Sequence, residues 1–303
     1  MAGASSARPD WETDGRDWPN RSASRFVEAA GYRWHVQRAG AAAAPLMLLV
    51  HGTGAATHSF RDLLPLLAAH FDVVAFDLPG HGFTASLGGD DLSLAGMAAS
   101  VGGLLTALDV APAFALGHSA GTAILIQMAL DGRIAPARLF GLNSALRPIE
   151  GNAFFSPMAK LLFLNPLVPR LFSWRARHGG VAGTLLSATG SSVDAAGQRH
   201  YTMLLEHPAH VAGALGMMAR WDLVPLVERL PRLAVPLTLI VAEDDPMVPA
   251  EVSRRAAARA AQGEVVALTS GGHLLHEAEP ALIVRLVLQR TGASARRAQG
   301  DLR

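Results

Sequence analysis

The sequence predicts an α/β fold, in which a mostly parallel sheet carries helices on both faces. Continuous apolar runs such as residues 46–50 are typical of strands buried on both sides, and segments with helical periodicity lie between them. A Gly-x-Ser-x-Gly turn at residues 117–121 joins one such strand to a helix. This alternation favours a parallel sheet, and a length of 303 residues favours one large domain or one domain with an insertion.

The N-terminal half predicts a polar arm, a hairpin and then a regular succession of strands and helices. Residues 1–24 form the arm, in which Trp11 and Trp18 are candidates to anchor it to the body. The hairpin pairs residues 26–29 with residues 32–37, where apolar and polar side chains alternate. The remaining elements are strands at 46–50, 71–76, 113–116 and 138–142, and helices at 59–70, 92–108 (capped by Asp91) and 122–130.

The alternation stops after the strand at 138–142. Residues 146–223 predict short apolar helices separated by prolines and a Gly179-Gly180 pair, and we interpret this long interruption as a helical cap. The alternation resumes with a strand at 237–241, a helix at 250–261, a strand at 264–268 and a helix at 277–290. The sequence therefore predicts an arm at 1–24, a core at 25–145 and 224–290, a cap at 146–223 and a frayed basic tail at 291–303.

Ser119, at the centre of the Gly-x-Ser-x-Gly turn, is the candidate nucleophile. A serine on a sharp turn between a strand and a helix is exposed, and the first N–H groups of the helix point toward whatever its hydroxyl attacks. Gly117 and Gly121 suit the turn because neither carries a Cβ that would collide with the neighbouring strand and helix. The backbone N–H groups of Ala120 and of Thr53, in the loop after His51-Gly52, are the candidate oxyanion hole.

A serine nucleophile needs a base and an acid that orients the base. His273 follows the last predicted strand and Asp245 follows the one before it, so both lie at strand ends on the same edge of the sheet. The chain order Ser119, Asp245, His273 is the order that an elbow-type hydrolase requires. Asp244 and His276 stay open as alternatives, although the two glycines before His273 and the position of the Asp245 loop favour Asp245 and His273.

Composition and motifs exclude several other chemistries. The chain has no cysteine, which rules out disulfides, thiolate catalysis and thiolate-bound metals. His207 and His210 flank Pro208 without a third ligand, and Gly52-Thr53-Gly54 lacks the lysine of a P-loop, so we expect neither metal nor cofactor. A net charge of +1 and the lack of a nucleic-acid motif give no reason to expect a nucleic-acid partner.

Apolar side chains are concentrated in the predicted cap, and two interpretations of them stay open. They form either the core of the cap or the ceiling of a pocket for a large, flat, apolar ligand. A basic group, Arg170, Arg175, Arg177 and His178, flanks them as either a solvated face or a carboxylate clamp. The candidate pocket residues are Phe154, Phe155, Leu164, Phe172, Trp174, Met217 and Met218.

The elbow, the His51-Gly52 loop, the turn at 77–82 and the Asp245 and His273 loops together resemble the α/β-hydrolase superfamily. Ala242 stands where those proteins commonly carry glycine. A closer resemblance runs from about Trp11 to about Leu288, cap included, to the BchO proteins of photosynthetic bacteria, which are magnesium-chelatase accessory proteins of bacteriochlorophyll biosynthesis. The segments that carry it are residues 18–21, 24–27, 34–37, 51–65, 77–84, 117–121, 165–169 and 210–219.

The resemblance implies a place beside the insertion of Mg²⁺ into protoporphyrin IX, with a tetrapyrrole or an apolar relative as ligand and chelatase subunits as partners. Two hypotheses follow: a serine hydrolase that cleaves an ester, or a non-catalytic protein that binds a tetrapyrrole or docks on the chelatase. No apolar run is long enough to span a membrane, and residues 1–24 lack the pattern of a signal peptide. We therefore expect a cytoplasmic protein with no transmembrane segment, or one that lies peripherally on the photosynthetic membrane.

Overall fold

A computed structural model describes residues 7–147 and 165–292 of the chain, and in them the predicted α/β fold is confirmed. One sheet has the strand order β1-β2-β4-β3-β6-β7-β8-β9, with β5 paired to β2. The strands are β1 Ser24–Ala29, β2 Tyr32–Ala39, β3 Leu46–Val50, β4 Asp72–Phe76, β5 Ala85–Ser86, β6 Phe114–His118, β7 Arg138–Leu142, β8 Leu237–Ala242 and β9 Gly263–Leu268.

Neighbouring strands pair in parallel along β4-β3-β6-β7-β8-β9, and the pairs at the other end, formed by β1, β2 and β5 and by β2 with β4, are antiparallel. Every residue of β3, β4, β6 and β8 is buried, as their continuous apolar runs predict. Because the strands from β4 to β9 run the same way, the loops that follow them lie along one edge of the sheet. The loops after β3, β6, β8 and β9 carry Thr53, Ser119, Asp245 and His273, and this edge is therefore where the candidate site is built.

Helices cover both faces of the sheet. Two separate clusters of buried apolar side chains lie on either side of it, one against α2, α3, α8 and α9 and the other against α1 and α11. The helices are α1 Leu63–Ala68, α2 Leu94–Ala107, α3 Ala120–Leu130, α4 Leu167–His178, α5 Val181–Ser187, α6 Ala195–Leu205, α7 Pro208–Arg220, α8 Val224–Arg229, α9 Ala250–Arg259, α10 Leu275–Ala278 and α11 Pro280–Thr291.

Two predicted helices are shorter than the sequence pattern suggested, and proline explains both. The helix expected over 59–70 is a 3₁₀ turn, Thr57–Phe60, followed by α1, so that Pro65 falls in the first turn, where its missing N–H has no partner to lose. The helix expected over 277–290 begins at Pro280, after the separate turn α10.

The predicted cap of α2 is also wrong. Ser93, not Asp91, is the N-cap, because its hydroxyl accepts the N–H of Gly96 at 3.1 Å. Asp91 lies before the helix and holds its N-cap residue, because the Asp91 carboxylate accepts the N–H of Ser93 at 3.0 Å.

The arm packs on the body through its tryptophans over the part that is described, residues 7–24. The ring N–H of Trp18, a buried residue, donates to the hydroxyl of Thr57 at 3.0 Å. The ring of Trp11 lies edge-on to those of Phe26 and Phe83, with centroids 5.5 and 4.9 Å away.

Between β7 and β8, residues 165–223 form α4 to α7 and contain no strand. These helices meet the loops at the carboxyl edge of the sheet: the hydroxyl of Tyr201 bonds Glu277, and that of Ser191 bonds the carbonyl of Gly271. We call α4 to α7 the cap helices. The division of the chain into arm, core, cap and tail stays a prediction, and the tail beyond residue 292 lies outside the described residues.

Candidate active site

Ser119 lies at the turn between β6 and α3 with backbone angles of φ 49° and ψ −115°. A non-glycine residue with positive φ is strained, and such strain is found where function requires a side chain in one place. The flanking glycines are required by close packing. A Cβ on Gly117 would lie 2.4 Å from the nitrogen of Thr122, and one on Gly121 would lie 2.1 Å from the carbonyl oxygen of Val50.

The structure brings Ser119, His273 and Asp245 together in one hydrogen-bonded chain. Nε2 of His273 lies 3.2 Å from Oγ of Ser119, and Nδ1 lies 2.8 Å from Oδ2 of Asp245. The Asp245 carboxylate is itself fixed, because its Oδ1 accepts the backbone N–H groups of Met247 and Val248 at 2.8 and 3.0 Å. An ionised carboxylate can only accept, so Nδ1 of His273 carries the hydrogen and the lone pair of Nε2 faces the serine.

The two residues that the sequence left as alternatives lie elsewhere. Asp244 accepts the backbone N–H of Gly272 at 2.9 Å, which holds the loop that carries His273. His276 is buried, and its Nε2 bonds the hydroxyl of Ser59 at 2.8 Å. Burial lowers the pKa of His276 to about 3, so its ring is neutral at pH 7.

Two side chains that sequence reasoning did not single out grip the backbone of His273. Nε2–H of His118 donates to the carbonyl of His273 at 2.9 Å, and the side-chain amide of Asn143 donates to the same oxygen at 3.0 Å. The amide oxygen of Asn143 also accepts the N–H of Ala242 at 2.9 Å, so it ties the end of β8 to the histidine loop. The sequence did contain a signal for each of them. Asn143 is a polar residue directly after a buried strand, and His118 is the residue next to the candidate nucleophile.

The loop after β3 lies against the elbow. A Cβ on Gly52 would come within 3.1 Å of the Cβ of Ser119, so the two segments are in contact. Ala120 begins α3, where the first N–H groups have no partner within the helix. The hydroxyl of Thr53 donates to the sulfur of Met217, on α7, at 3.4 Å.

His51 is a structural residue of this loop. Leu78 donates its N–H to Nε2 of His51 at 2.9 Å, which places the hydrogen on Nδ1, and that nitrogen donates to the carbonyl of Gly52 at 2.8 Å. Burial lowers the pKa of His51, and a neutral ring is the state that both bonds require. The turn at 77–82 is thereby joined to the loop that carries Thr53.

Comparison with known proteins identifies the family of the chain. The family described as alpha/beta hydrolase fold matches residues 45–280. The chain belongs to the α/β-hydrolase fold family. It is also 43% identical, over 86% of its length and 92% of the relative's, to a protein of Rhodobacter capsulatus named magnesium-chelatase 30 kDa subunit, and it belongs to that protein's family. The predicted resemblance is thus confirmed.

Solved structures of α/β hydrolases share the fold. An epoxide hydrolase named CorEH aligns with a TM-score of 0.73 and 22% identity, covering 88% of this chain and 97% of its own. A thermophilic esterase from Thermogutta terrifontis aligns with a TM-score of 0.69 and 21% identity, covering 88% and 98%. At these identities the likeness establishes the α/β-hydrolase fold and carries no information on the reaction.

Four of the seven predicted pocket residues of this α/β hydrolase lie in the described part of the chain. Phe154, Phe155 and Leu164 lie outside the described residues. Met217 is fully buried beside Thr53, and Phe172 and Met218 are half-buried. Trp174 is 54% exposed, and its ring lies 4.9 Å from that of His178, so the structure gives no support for placing it in the pocket.

Within residues 7–147 and 165–292, no group of three or more histidine, aspartate or glutamate side chains is arranged to hold a metal ion. No helix there is long and apolar enough to cross a membrane.

Proposed function

We propose that this α/β hydrolase is a serine hydrolase that acts on a carboxylic ester. Ser119 is the nucleophile, His273 the general base and Asp245 the residue that orients the base. The observation that carries the proposal is the pair of contacts made by one imidazole, 3.2 Å to Oγ of Ser119 and 2.8 Å to Oδ2 of Asp245. Contacts of this length in this order are what nucleophilic serine catalysis requires.

The reaction proceeds in two halves. Ser119 Oγ attacks the ester carbonyl as Nε2 of His273 takes its proton, and Asp245 stabilises the imidazolium that forms. The oxyanion of the tetrahedral intermediate accepts the N–H groups of Thr53 and Ala120, and each such donor is typically worth about 3–4 kcal/mol. The imidazolium then protonates the leaving alkoxide, which departs as the alcohol. Water attacks the acyl-enzyme by the same route and releases the acid and the free serine.

Hydrolysis of short p-nitrophenyl esters tests this proposal. Purified wild-type protein should release p-nitrophenol with saturation kinetics, and Ser119→Ala should reduce the rate to that of the uncatalysed background. Ser144→Ala is a matched control, because Ser144 lies near the elbow at the end of β7, where its hydroxyl bonds Thr122 and not His273. Equal rates for wild type and Ser119→Ala would contradict the proposal.

The biological setting that we propose is the magnesium-chelatase step of bacteriochlorophyll biosynthesis, with chelatase subunits as partners. The support is the relative named magnesium-chelatase 30 kDa subunit, which aligns with 86% of this chain. In this setting the chain is an accessory protein, and its ligand is an apolar small molecule such as a tetrapyrrole or an ester related to one.

A second candidate function is a non-catalytic tetrapyrrole-binding or chelatase-docking protein that keeps the hydrolase fold. The specific observation in its favour is that the 43% identical relative is named as a chelatase subunit and not as a hydrolase. Ser119→Ala in a deletion strain separates the two functions. If the variant restores pigment, the reaction is dispensable and the second function is correct, whereas failure to restore pigment with a stable, folded protein supports the hydrolase. Titration of protoporphyrin IX should shift its absorbance if it binds directly.

We further propose a cytoplasmic location with contact to an anionic membrane surface through α4. Leu167, Leu171 and Trp174 share one face of this helix and are 64%, 62% and 54% exposed. The helix carries three arginines, one histidine and no acidic residue, and the arginines complement anionic lipid. Co-sedimentation with vesicles of phosphatidylglycerol should decline in a Leu171→Ser, Trp174→Ser variant and not in Leu87→Ser, an exposed leucine elsewhere. Wild-type protein that stays in the supernatant would contradict the contact.

A further inference from the structure

His207 and His210, three residues apart in the sequence, have separate partners in the structure. His207 lies with its Nε2 3.3 Å from a carboxylate oxygen of Asp14 and its Nδ1 2.8 Å from the carbonyl of Met203, so it joins the arm to α6. His210, near the start of α7, is almost fully buried and bonds the turn at 77–82 and the Thr53 loop instead. The proposed reaction as described above does not use it.

Both ring nitrogens of His210 are occupied by backbone groups of two different loops. Nδ1 accepts the N–H of Gly82 at 3.0 Å, and Nε2–H donates to the carbonyl of Gly54 at 3.1 Å. An N–H can only donate and a carbonyl can only accept, so these partners fix the hydrogen on Nε2. One neutral imidazole therefore bridges the turn at 77–82 and the loop that carries Thr53.

The loop that His210 holds has a glycine on each side of Thr53. Thr53 lies between Gly52 and Gly54, and Gly54 has a φ of 76° with no atom within 4 Å of the position its Cβ would take. The carbonyl of Gly52, which shares a peptide plane with the N–H of Thr53, is held by Nδ1–H of His51 at 2.8 Å and by the N–H of Ala55 at 3.2 Å. An oxyanion hole needs its donor within a few tenths of an ångström of the reacting oxygen, and the bond of His210 to the carbonyl of Gly54 holds the loop on the other side of Thr53.

Helix α7, which carries His210, packs closely against the core. A Cβ on Gly213 would lie 1.9 Å from the carbonyl oxygen of Gly80, so α7 rests backbone to backbone on the turn at 77–82. Farther along the same helix, the sulfur of Met217 accepts the hydroxyl of Thr53 at 3.4 Å. Helix α7 thus contacts the Thr53 loop at two points while its own position is set by the core.

We propose that His210 is a positioning residue for the oxyanion hole. From cap helix α7 it holds the carbonyl of Gly54, and this directs the N–H of Thr53 toward the site next to Ser119. The inference rests on the proposed hydrolase function and assigns to α7 a part in it. His210 touches no reacting atom; it acts through the Gly52-Thr53-Gly54 backbone.

The surroundings keep His210 in the neutral state that both bonds require. Burial, above all, lowers its pKa to about 4, and the bond to Gly54 and the carboxylate of Asp77 oppose this only in part. The ring centroid of His81 lies 5.4 Å from that of His210 and 5.4 Å from that of His51. A proton on Nδ1 would face the N–H of Gly82, so the bridge is a neutral one.

Two nearly isosteric variants test the inference, because each keeps one of the two bonds. The amide nitrogen of Gln reaches where Nε2 of His210 lies, so His210→Gln retains the donor to Gly54 and should keep kcat on a p-nitrophenyl ester within about threefold of wild type. Asn places its amide where Nδ1 lies, so His210→Asn keeps the bond to Gly82 alone. It should lower kcat by about tenfold to a hundredfold, with KM changed less than about threefold.

The outcomes of the two variants are independent of each other. His207→Gln serves as a control on the neighbouring histidine and should leave kcat unchanged. A loss of more than tenfold in His210→Gln, or a kcat for His210→Asn equal to wild type, overturns the positioning role, as does a loss confined to KM. Amide hydrogen exchange over residues 51–56 gives a readout without turnover: it should speed up in His210→Asn and not in His210→Gln. If wild type itself hydrolyses no ester, the proposed function fails first, and the exchange measurement alone decides whether His210 holds the loop.

Discussion

The hydroxyl of Tyr201, on cap helix α6, donates a hydrogen bond of 2.6 Å to the buried carboxylate of Glu277, four residues after His273. Ser59 donates to the same carboxylate oxygen at 2.7 Å, and the guanidinium of Arg61 pairs with the other oxygen. A buried carboxylate is stable only when it is paired and fully hydrogen-bonded. The cap helices and the loop that carries His273 therefore share one polar network.

Removing the Tyr201 hydroxyl should destabilise the protein. Tyr201→Phe leaves the Glu277 carboxylate buried with one donor fewer, and we expect the free energy of unfolding to fall by about 1–3 kcal/mol in urea denaturation. Thr202→Val on the same helix is the control, because its hydroxyl bonds only the carbonyl of Gln198 on the exposed side, and should change stability by less than about 0.5 kcal/mol. Equal effects of the two variants would contradict the network.

Adjacent aspartates should differ sharply in their effect on activity. Asp245→Asn keeps the side-chain shape but presents an amide to Nδ1 of His273 and favours the wrong tautomer, so kcat on an ester should fall by roughly ten-thousandfold. Asp244→Asn still accepts from the backbone of Gly272 and should lose less than about tenfold. Ester kinetics on the two purified variants distinguish the residues, and a larger loss in Asp244→Asn would exchange their roles.

A pair of glycine substitutions in two cap helices should have opposite signs. Gly213→Ala places a methyl group against the Gly80 carbonyl and must push α7 away from the turn, at a cost of about 1–3 kcal/mol. Gly183→Ala, in the middle of α5 with open space around it, removes backbone freedom from the unfolded chain and should stabilise by about 0.5–1 kcal/mol. Thermal melts of both variants check the signs, and a neutral Gly213→Ala would show that the close contact is absent.

The free energy of unfolding should decrease as the pH is lowered, over a pH range set by the buried histidines. The pKa is lowered by burial to about 4 for His210 and about 3 for His276, whereas in the unfolded chain a histidine titrates near about 6.5. Between those values the unfolded chain binds the extra proton, so the free energy of unfolding decreases as pH falls from about 6.5 toward about 4, by about 1.4 kcal/mol per pH unit for each histidine. Urea denaturation at pH 7, 6 and 5 measures the slope, and His210→Gln should reduce it by one histidine's share. A flat profile would contradict the burial of neutral rings.

Much of the fold was predictable because its signals are local. The unbroken apolar runs of β3 and β8 indicated buried parallel strands, and Ser119 between two glycines indicated a strand-to-helix turn. The errors were local as well: Pro65 and Pro280 each cut a helix that apolar periodicity alone extended, and β5, only two residues long, has no periodicity to detect. Sequence reasoning also placed the candidate nucleophile, base and acid on one sheet edge, since parallel strands bring their following loops together.

What sequence could not supply is which long-range partner each polar side chain finds. Asn143 and His273 are 130 residues apart, and nothing local in the chain indicates that one amide holds the other's carbonyl. In the sequence His210 could be compared only with His207, a pair without a third metal ligand, whereas its partners in the structure are the backbone groups of Gly54 and Gly82. Such contacts depend on how the cap helices seat on the core, and that is a property of packing between distant segments.

The central claim is that Ser119 is an activated nucleophile, and covalent labelling tests it most directly. A fluorophosphonate probe should modify wild-type protein at a single site, which peptide mass spectrometry should place on Ser119, and the label should vanish in Ser119→Ala and fall steeply in His273→Gln. Wild-type protein that stays unlabelled, or a Ser119→Ala variant that labels as wild type does, would contradict the claim.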